Sequence, residues 1–177
     1  NRVDALNVTD HQSSVMRFPS LGGCLAIKER GGEPILQMTC RDRNRLALQA
    51  ELLLAYTRGI RNVLCLTGDA VVVGDHKEAK GVFDLDSVQL IQTLKQMRDE
   101  KKFLCGEEIS GEVPIFIGAA ENPYADPFEF RVTRLAKKIK AGADFIQTQA
   151  VYDIAKFAKW MAMATDRGLD KQAHILA

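Results

Sequence analysis

The stretch Gly59-Ile60-Arg61-Asn62-Val63-Leu64-Cys65-Leu66-Thr67-Gly68-Asp69 decides how this chain is read. Val63 to Leu66 is an unbroken apolar run, the pattern of a strand buried on both faces in a parallel sheet covered by helices. The run stops at Thr67-Gly68-Asp69, where a small polar residue, a glycine and a carboxylate meet as the strand leaves the sheet. Parallel α/β folds bind ligands at that end of their strands. Asp69 is therefore expected to face a ligand. The plainer alternative is a turn whose carboxylate only caps backbone amides.

Outward from this stretch the chain alternates. Val3–Val8 reads as a strand ending at Thr9-Asp10, and Leu21–Arg30 as a helix closed by Gly31-Gly32. Pro34–Thr39 is the next strand. Arg45–Arg58 carries a helical stripe of Leu48, Leu52, Ala55 and Tyr56, with Gly59 as its left-handed cap. Beyond Asp69, the polar segment 70–83 exceeds the usual connection and is expected to act as a functional loop. Leu90, Leu94 and Met97 mark the following helix, and 105–112 a turn or small hairpin. Ile115–Ile117 is a strand opening into Gly118-Ala119-Ala120-Glu121-Asn122-Pro123-Tyr124. Val132, Leu135, Ala136 and Ile139 mark a helix capped by Gly142. Asp144–Gln149 is a strand, Ile154, Phe157, Ala158 and Met161 a helical stripe, and His174–Ala177 the start of another strand.

Such alternation means a parallel sheet with helices outside. Both a doubly wound open sheet and a (β/α)8 TIM barrel fit it. Polar residues end many strands: Thr9 and Asp10; Thr39, Arg41 and Asp42; Thr67 and Asp69; Glu121 and Asn122; Gln147 and Gln149. Contributions from so many strand ends suit a barrel mouth, whereas an open sheet concentrates them at one switch point. A barrel has eight strands and about 250 residues. The 177 residues here form a single domain with about six strands. The expectation is an incomplete barrel, part of a longer chain, that in isolation is poorly soluble or assembles through its open edges.

Composition narrows the function. With 46% hydrophobic and 27% charged residues and a net charge of +1, the chain is globular and has no electrostatic case for nucleic acid or an acidic membrane surface. The basic run Arg41-Asp42-Arg43-Asn44-Arg45 is short and interrupted by an acid. Cys24, Cys40, Cys65 and Cys105 form no C-x-x-C pair, so neither a disulfide framework nor a zinc site is expected, and a reducing cytoplasm fits. No signal peptide is visible, and no apolar run reaches the roughly 18 residues of a membrane span. His11, His76 and His174 lack ligand spacing, so no metal site is expected. There is no dinucleotide-binding G-x-G-x-x-G, no P-loop and no G-x-S-x-G elbow. Lys137-Lys138 reads as a solvated helix face.

Four blocks together carry a more specific signal. Gly59-Ile60-Arg61-Asn62-Val63 leading to Leu66-Thr67-Gly68-Asp69, Gln37-Met38-Thr39-Cys40-Arg41-Asp42-Arg43-Asn44, Gly118-Ala119-Ala120-Glu121-Asn122-Pro123 and Ala141-Gly142-Ala143-Asp144-Phe145-Ile146-Gln147-Thr148-Gln149 resemble the methylenetetrahydrofolate reductase family, in the family's order and over nearly the whole chain. The resemblance implies a flavin-containing TIM barrel, of which residues 1–177 supply about strands two to seven. It implies an oxidoreductase of one-carbon metabolism and methionine biosynthesis. NAD(P)H or another donor reduces FAD or FMN, and 5,10-methylenetetrahydrofolate is reduced to 5-methyltetrahydrofolate. By the same resemblance Asp69 and Gln149 are the catalytic residues: Asp69 lies beside flavin and pterin, where a carboxylate stabilises the cationic iminium formed as the folate's five-membered ring opens, and Gln149 hydrogen-bonds folate and nicotinamide. Thr9, Gln37, Thr67, Gly68, Asp69, Asn122 and Tyr124 fall where the mouth holds the flavin, and Lys138 at a position contacting its phosphates. Partners are then a folate substrate and either a second copy or a reductase complex.

The chain departs from the family pattern at two places. Many members carry arginine where Thr67 stands and histidine where Gln37 stands, which leaves FAD against FMN open. The family's proton-donor glutamate lies on a strand preceding residue 1, so the isolated segment is expected not to turn over folate. Two other readings compete: a pterin-binding barrel methyltransferase without flavin, and a non-catalytic flavoprotein subunit of an electron-transfer complex.

Overall fold

A computed structural model describes residues 3–177. Six strands alternate with five helices: β1 Leu6–Val8, α1 Ser20–Glu29, β2 Pro34–Thr39, α2 Arg45–Thr57, β3 Asn62–Leu66, α3 Ser87–Lys95, β4 Phe116–Glu121, α4 Phe128–Ala141, β5 Phe145–Thr148, α5 Ile154–Asp166 and β6 His174–Leu176. Every neighbouring pair is parallel, and spatial order equals chain order. A doubly wound sheet reverses direction at a switch point; this one never does. Sequential parallel order is that of a (β/α)8 barrel.

Curvature confirms it. The side chains of Asn7 on β1 and Gln147 on β5 share a hydrogen bond of 2.5 Å. These strands stand four places apart, roughly 19 Å across a flat sheet at a spacing of about 4.8 Å. Only a curled sheet brings them together. The six strands thus form a curled half-barrel, and the expectation of a partial TIM barrel holds.

Period-two alternation sorts the strand residues between two environments. Leu36, Met38, Val63, Cys65, Ile117, Ala119 and Ile146 pack outward under the helices with 0–1% exposure. Asn7, Thr9, Gln37, Leu64, Leu66, Ala120, Gln147 and Gln149 line the concave side. Helices meet the outer layer through Leu48, Leu52 and Ala55 of α2, Leu90 and Leu94 of α3, and Val132 and Leu135 of α4. Fully burying each such side chain stabilises the fold by roughly 1.5–3 kcal/mol.

Most boundaries agree closely with the sequence reading, and two differ more. The first strand begins at Leu6, not Val3, because its pairing with β2 starts at Leu6 opposite Pro34. The fourth strand runs on to Glu121 rather than ending at Ile117. Gly118 does not break it: a Cβ there would lie 2.1 Å from the Phe145 ring, so this glycine makes room for a neighbour. On α5 the buried residues are Trp160 and Ala164, flanked by Phe157 and Met161, while Ile154 and Ala158 face solvent. The turn or small hairpin expected over 105–112 is a tight turn, closed by one antiparallel bridge between Lys102 and Glu108. No described helix is long and apolar enough to cross a membrane.

Candidate active site at the mouth of the curled sheet

The C-terminal strand ends surround a cavity of about 600 Å³, within the 300–1,000 Å³ typical of small-molecule sites. Its wall includes Thr9, Gln37, Thr67, Gly68, Asp69 and Gln149. Residues far apart in sequence, at the ends of β1, β2, β3 and β5, therefore converge on one space, as expected of a barrel mouth.

Asp69 is exposed, and its Oδ2 accepts a hydrogen bond from the Ser13 backbone N–H at 3.0 Å. Gly68 adopts φ +92°, and a Cβ there would come within 2.9 Å of Arg41 Cβ and 3.4 Å of Thr39 Cβ. Glycine alone meets both demands, so the turn beside Asp69 packs directly against Arg41 and Thr39. Thr67 Oγ1 accepts from the N–H of Ser87, the first residue of α3, at 3.0 Å. Its hydroxyl is thus tied to the helix start. Gln37 Oε1 accepts from Asp10 N–H at 3.3 Å. Gln149 anchors its backbone N–H on the Glu121 carbonyl at 3.0 Å and stands exposed at the rim.

Three residues tied to the flavin by family resemblance lie off this wall. Asn122 turns back on its own loop, where Oδ1 accepts from Tyr124 N–H at 2.9 Å. The Tyr124 carbonyl accepts from Lys156 Nζ at 2.7 Å, and its phenolic oxygen is closed off from water. Lys138 is no solvated helix residue: it is 6% exposed, and its Nζ donates to Glu121 Oε2 at 2.8 Å and to the Ala120 carbonyl at 2.5 Å. Its charge is spent inside, holding α4 to the end of β4.

Charged residues beneath the mouth serve as a frame. Asp10, 2% exposed, accepts from Thr39 N–H at 2.8 Å and Thr39 Oγ1 at 2.9 Å, and pairs with Arg43. Arg43 also reaches Glu51 on α2 at 2.6 Å. Asp10 thus locks the end of β1 to that of β2. Arg41, 2% exposed, grips Asp42 through two nitrogens at 2.7 and 2.8 Å. That contact holds the guanidinium above its ordinary range and the Asp42 carboxyl below its own. Burial pushes the thiols of Cys24 and Cys40 up to about 12, which removes them as nucleophiles. No group of three or more metal-ligating side chains exists among the described residues.

Asn7, Gln147 and Arg41 on the wall were given no site role from the sequence, although Gln147 and Arg41 were counted among the polar strand ends. For two of them the signal was present. Asn7 and Gln147 stand two residues before Thr9 and Gln149, hence on the same face one layer deeper. A carboxamide inside an otherwise apolar parallel strand is itself unusual.

Fold and site define a barrel-type α/β protein with a ligand cavity at the carboxyl ends of its strands. A family model described as methylenetetrahydrofolate reductase matches residues 2–176, and the chain belongs to that family. Two relatives from Schizosaccharomyces pombe are similar to it. Methylenetetrahydrofolate reductase 1 is 30% identical over 141 residues, covering 76% of this chain. Methylenetetrahydrofolate reductase 2 is 31% identical over 129 residues, covering 71%. The chain spans 21% and 19% of the length of these two relatives.

Proposed function

We propose that the full-length protein carrying this chain is a flavin-dependent oxidoreductase that reduces 5,10-methylenetetrahydrofolate to 5-methyltetrahydrofolate. The observation that carries this reading is the convergence of Asp69 and Gln149 on one cavity at the strand ends. The chain's residues fit a flavin. A planar tricycle needs a roomy cavity with polar groups around its rim, and the cavity of about 600 Å³ lined by Thr9, Gln37, Thr67 and Gly68 offers both. FAD or FMN bound there supplies hydride transfer, with NAD(P)H or another donor as the source of electrons. Asn122 and Tyr124 shape the adjoining loop, and Lys138 serves by fixing Glu121 and the Ala120 carbonyl beneath it.

Asp69 acts on the folate. Opening the folate's five-membered ring develops positive charge on its nitrogen, and a carboxylate fixed in advance stabilises that charge without reorganisation. The Ser13 N–H holds one carboxylate oxygen in place. Gln149, whose backbone is tied to β4, presents its carboxamide at the same rim to orient the bound ring. A cytoplasmic protein working as a homo-oligomer or within a reductase complex accords with this role.

The test is spectroscopic and kinetic. The purified full-length protein should show the visible bands of a flavin. Asp69→Asn should keep the flavin and slow folate reduction by roughly 10²–10³-fold, the scale for losing one preorganised electrostatic group. A colourless protein, or a variant with unaltered turnover, overturns the reading.

A further inference from the structure

Helix α2 carries two apolar stripes. Leu48, Leu52 and Ala55 pack inward. On the opposite side Leu46, Ala47, Ala50 and Leu54 are exposed, Leu46 by 74% and Leu54 by 45%, with Leu53 half-buried beside them. A helix that is apolar all round is ordinarily buried all round. The next two helices do not share the pattern: α3 turns Gln89 and Gln92 outward, and α4 turns Arg134, Lys137 and Lys140. Between Leu46 and Thr57 the one charged residue is Glu51, and Arg43 holds it at 2.6 Å. The outward stripe is also a ridge between two grooves. One, of about 580 Å³, separates α2 from the turn after α3 and is lined by Leu53, Phe103 and Leu104. The other, of about 630 Å³, separates α2 from α1 and is lined by Leu21, Leu25 and Leu54. Strands that close a barrel enter between β6 and β1. Helix α2 stands between α1 and α3, so that closure leaves its outer face open.

Exposed leucines in a patch depleted of charge are the composition of an interface core. We propose that the outer face of α2 is a self-association surface whose occupant is a second copy of this chain. The stripe is self-complementary about Ala50. Leu46 and Leu54 stand four residues to either side of it, Ala47 and Leu53 three. When two such helices meet antiparallel about a twofold axis at Ala50, Leu54 of each copy falls over Ala47 of the other, and Leu46 beside Leu53. Each contact occurs twice, as an isologous interface requires. The small Ala50 at the axis lets the two backbones approach. The 13 residues of α2 span about 20 Å. With one neighbouring element on either side at about 10 Å, the flat projection of the face is about 400 Å². The ridge and its grooves raise the accessible area toward the roughly 800 Å² that each partner gives to a stable interface. The pairing is independent of the chemistry at the mouth.

Cross-linking of the full-length protein tests the pairing. Cys105→Ser removes the exposed thiol of this segment, Cys24, Cys40 and Cys65 being buried. In that background Ala50→Cys sets two thiols at the axis, within reach of a disulfide. Mild oxidation should convert most of the variant to a covalent dimer. Gln92→Cys, on the outer face of α3, is the control and should give roughly tenfold less, because its thiols stand apart. Ala50→Glu brings two carboxylates together at the axis. In sedimentation velocity it should weaken self-association by roughly 100-fold or more, with the circular dichroism of the parent, since residue 50 is exposed. If a second interface keeps that variant associated, the residue-50 cross-link still decides the matter. Ala50→Cys giving no more covalent dimer than Gln92→Cys overturns the proposal. So does a cross-link from residue 50 to a different protein. A thiol at residue 50 that neither cross-links nor reacts with maleimide overturns it too, because another part of the same chain then lies over the face.

Discussion

The Ser13 backbone N–H donates to Asp69 Oδ2 at 3.0 Å, so the carboxylate that follows β3 is held by the loop that follows β1. That loop bridges over the end of β2. His11, Ser13 and Ser14 all have positive φ, at 47°, 56° and 58°, a region that non-glycine residues enter at a cost. Two contacts with the β3–α3 loop hold it there. Asp75 accepts from Met16 N–H through both oxygens, at 3.1 and 3.2 Å, and Gly74 packs so closely that a Cβ on it would lie 1.8 Å from the Ser14 carbonyl oxygen.

Gly74→Ala should therefore force the two loops apart and release Ser13 from Asp69. Global stability should change little, because both loops are on the surface. Amide exchange at Ser13 should accelerate by roughly tenfold, and turnover should fall on a similar scale, matching one lost charge-assisted hydrogen bond. Hydrogen-exchange mass spectrometry beside a steady-state assay checks this; unaltered exchange at Ser13 would refute the strap.

Lys138 and Glu121 are 7% and 1% exposed at their side chains and sit 2.8 Å apart. Removing one partner strands the other charge in the interior. Lys138→Met should thus destabilise the protein by about 3–5 kcal/mol in urea unfolding, and Lys138→Met with Glu121→Leu should recover most of that loss. A single variant as stable as the parent would show that the pair is solvated.

Gly118 tests the lower layer of the curl. A methyl group there points into the Phe145 ring at 2.1 Å. Gly118→Ala should cost about 1–3 kcal/mol as overpacking, and Phe145→Leu in the same chain should relieve part of it. Chemical denaturation of the two single variants and the double variant reads the coupling directly.

Asp84 fixes the far end of the β3–α3 loop to the start of α2, accepting from Arg45 N–H at 2.9 Å and from its guanidinium at 2.8 Å. The Arg45 side chain draws the Asp84 carboxyl down to about 2 from 3.8. A lowered carboxyl lends its stabilisation fully above the unfolded value and loses it as pH falls through the folded one. The docked loop should persist to about pH 4 and come free between about pH 4 and pH 2. Asp84→Asn should abolish that transition, as followed by the Arg45 amide resonance.

Much of this was legible in the chain alone. Val63–Leu66, the stripes on α2 and α4 and the glycines at 59 and 142 gave alternating elements, because apolar periodicity and caps are local properties. Gly118 misled for the same reason: its smallness answers to Phe145, which lies 27 residues on and is a neighbour only across the β4–β5 pairing. Ile154 fits a helical stripe equally well, yet the neighbours of α5 turn Trp160 inward instead.

The sequence by itself determined the parallel α/β order, the strand-end position of Asp69 and Gln149, and a pattern shared with the methylenetetrahydrofolate reductase family. Only the tertiary structure decided which polar side chains share a space. It joined Asn7 to Gln147 across four strand spacings, tied Asp69 to Ser13 and committed Lys138 to Glu121. The reason is physical: strand periodicity assigns each side chain to a face, but the curl of the sheet sets the distance between faces. That curl is a sum of packing over all the strands and belongs to no single stretch of the chain.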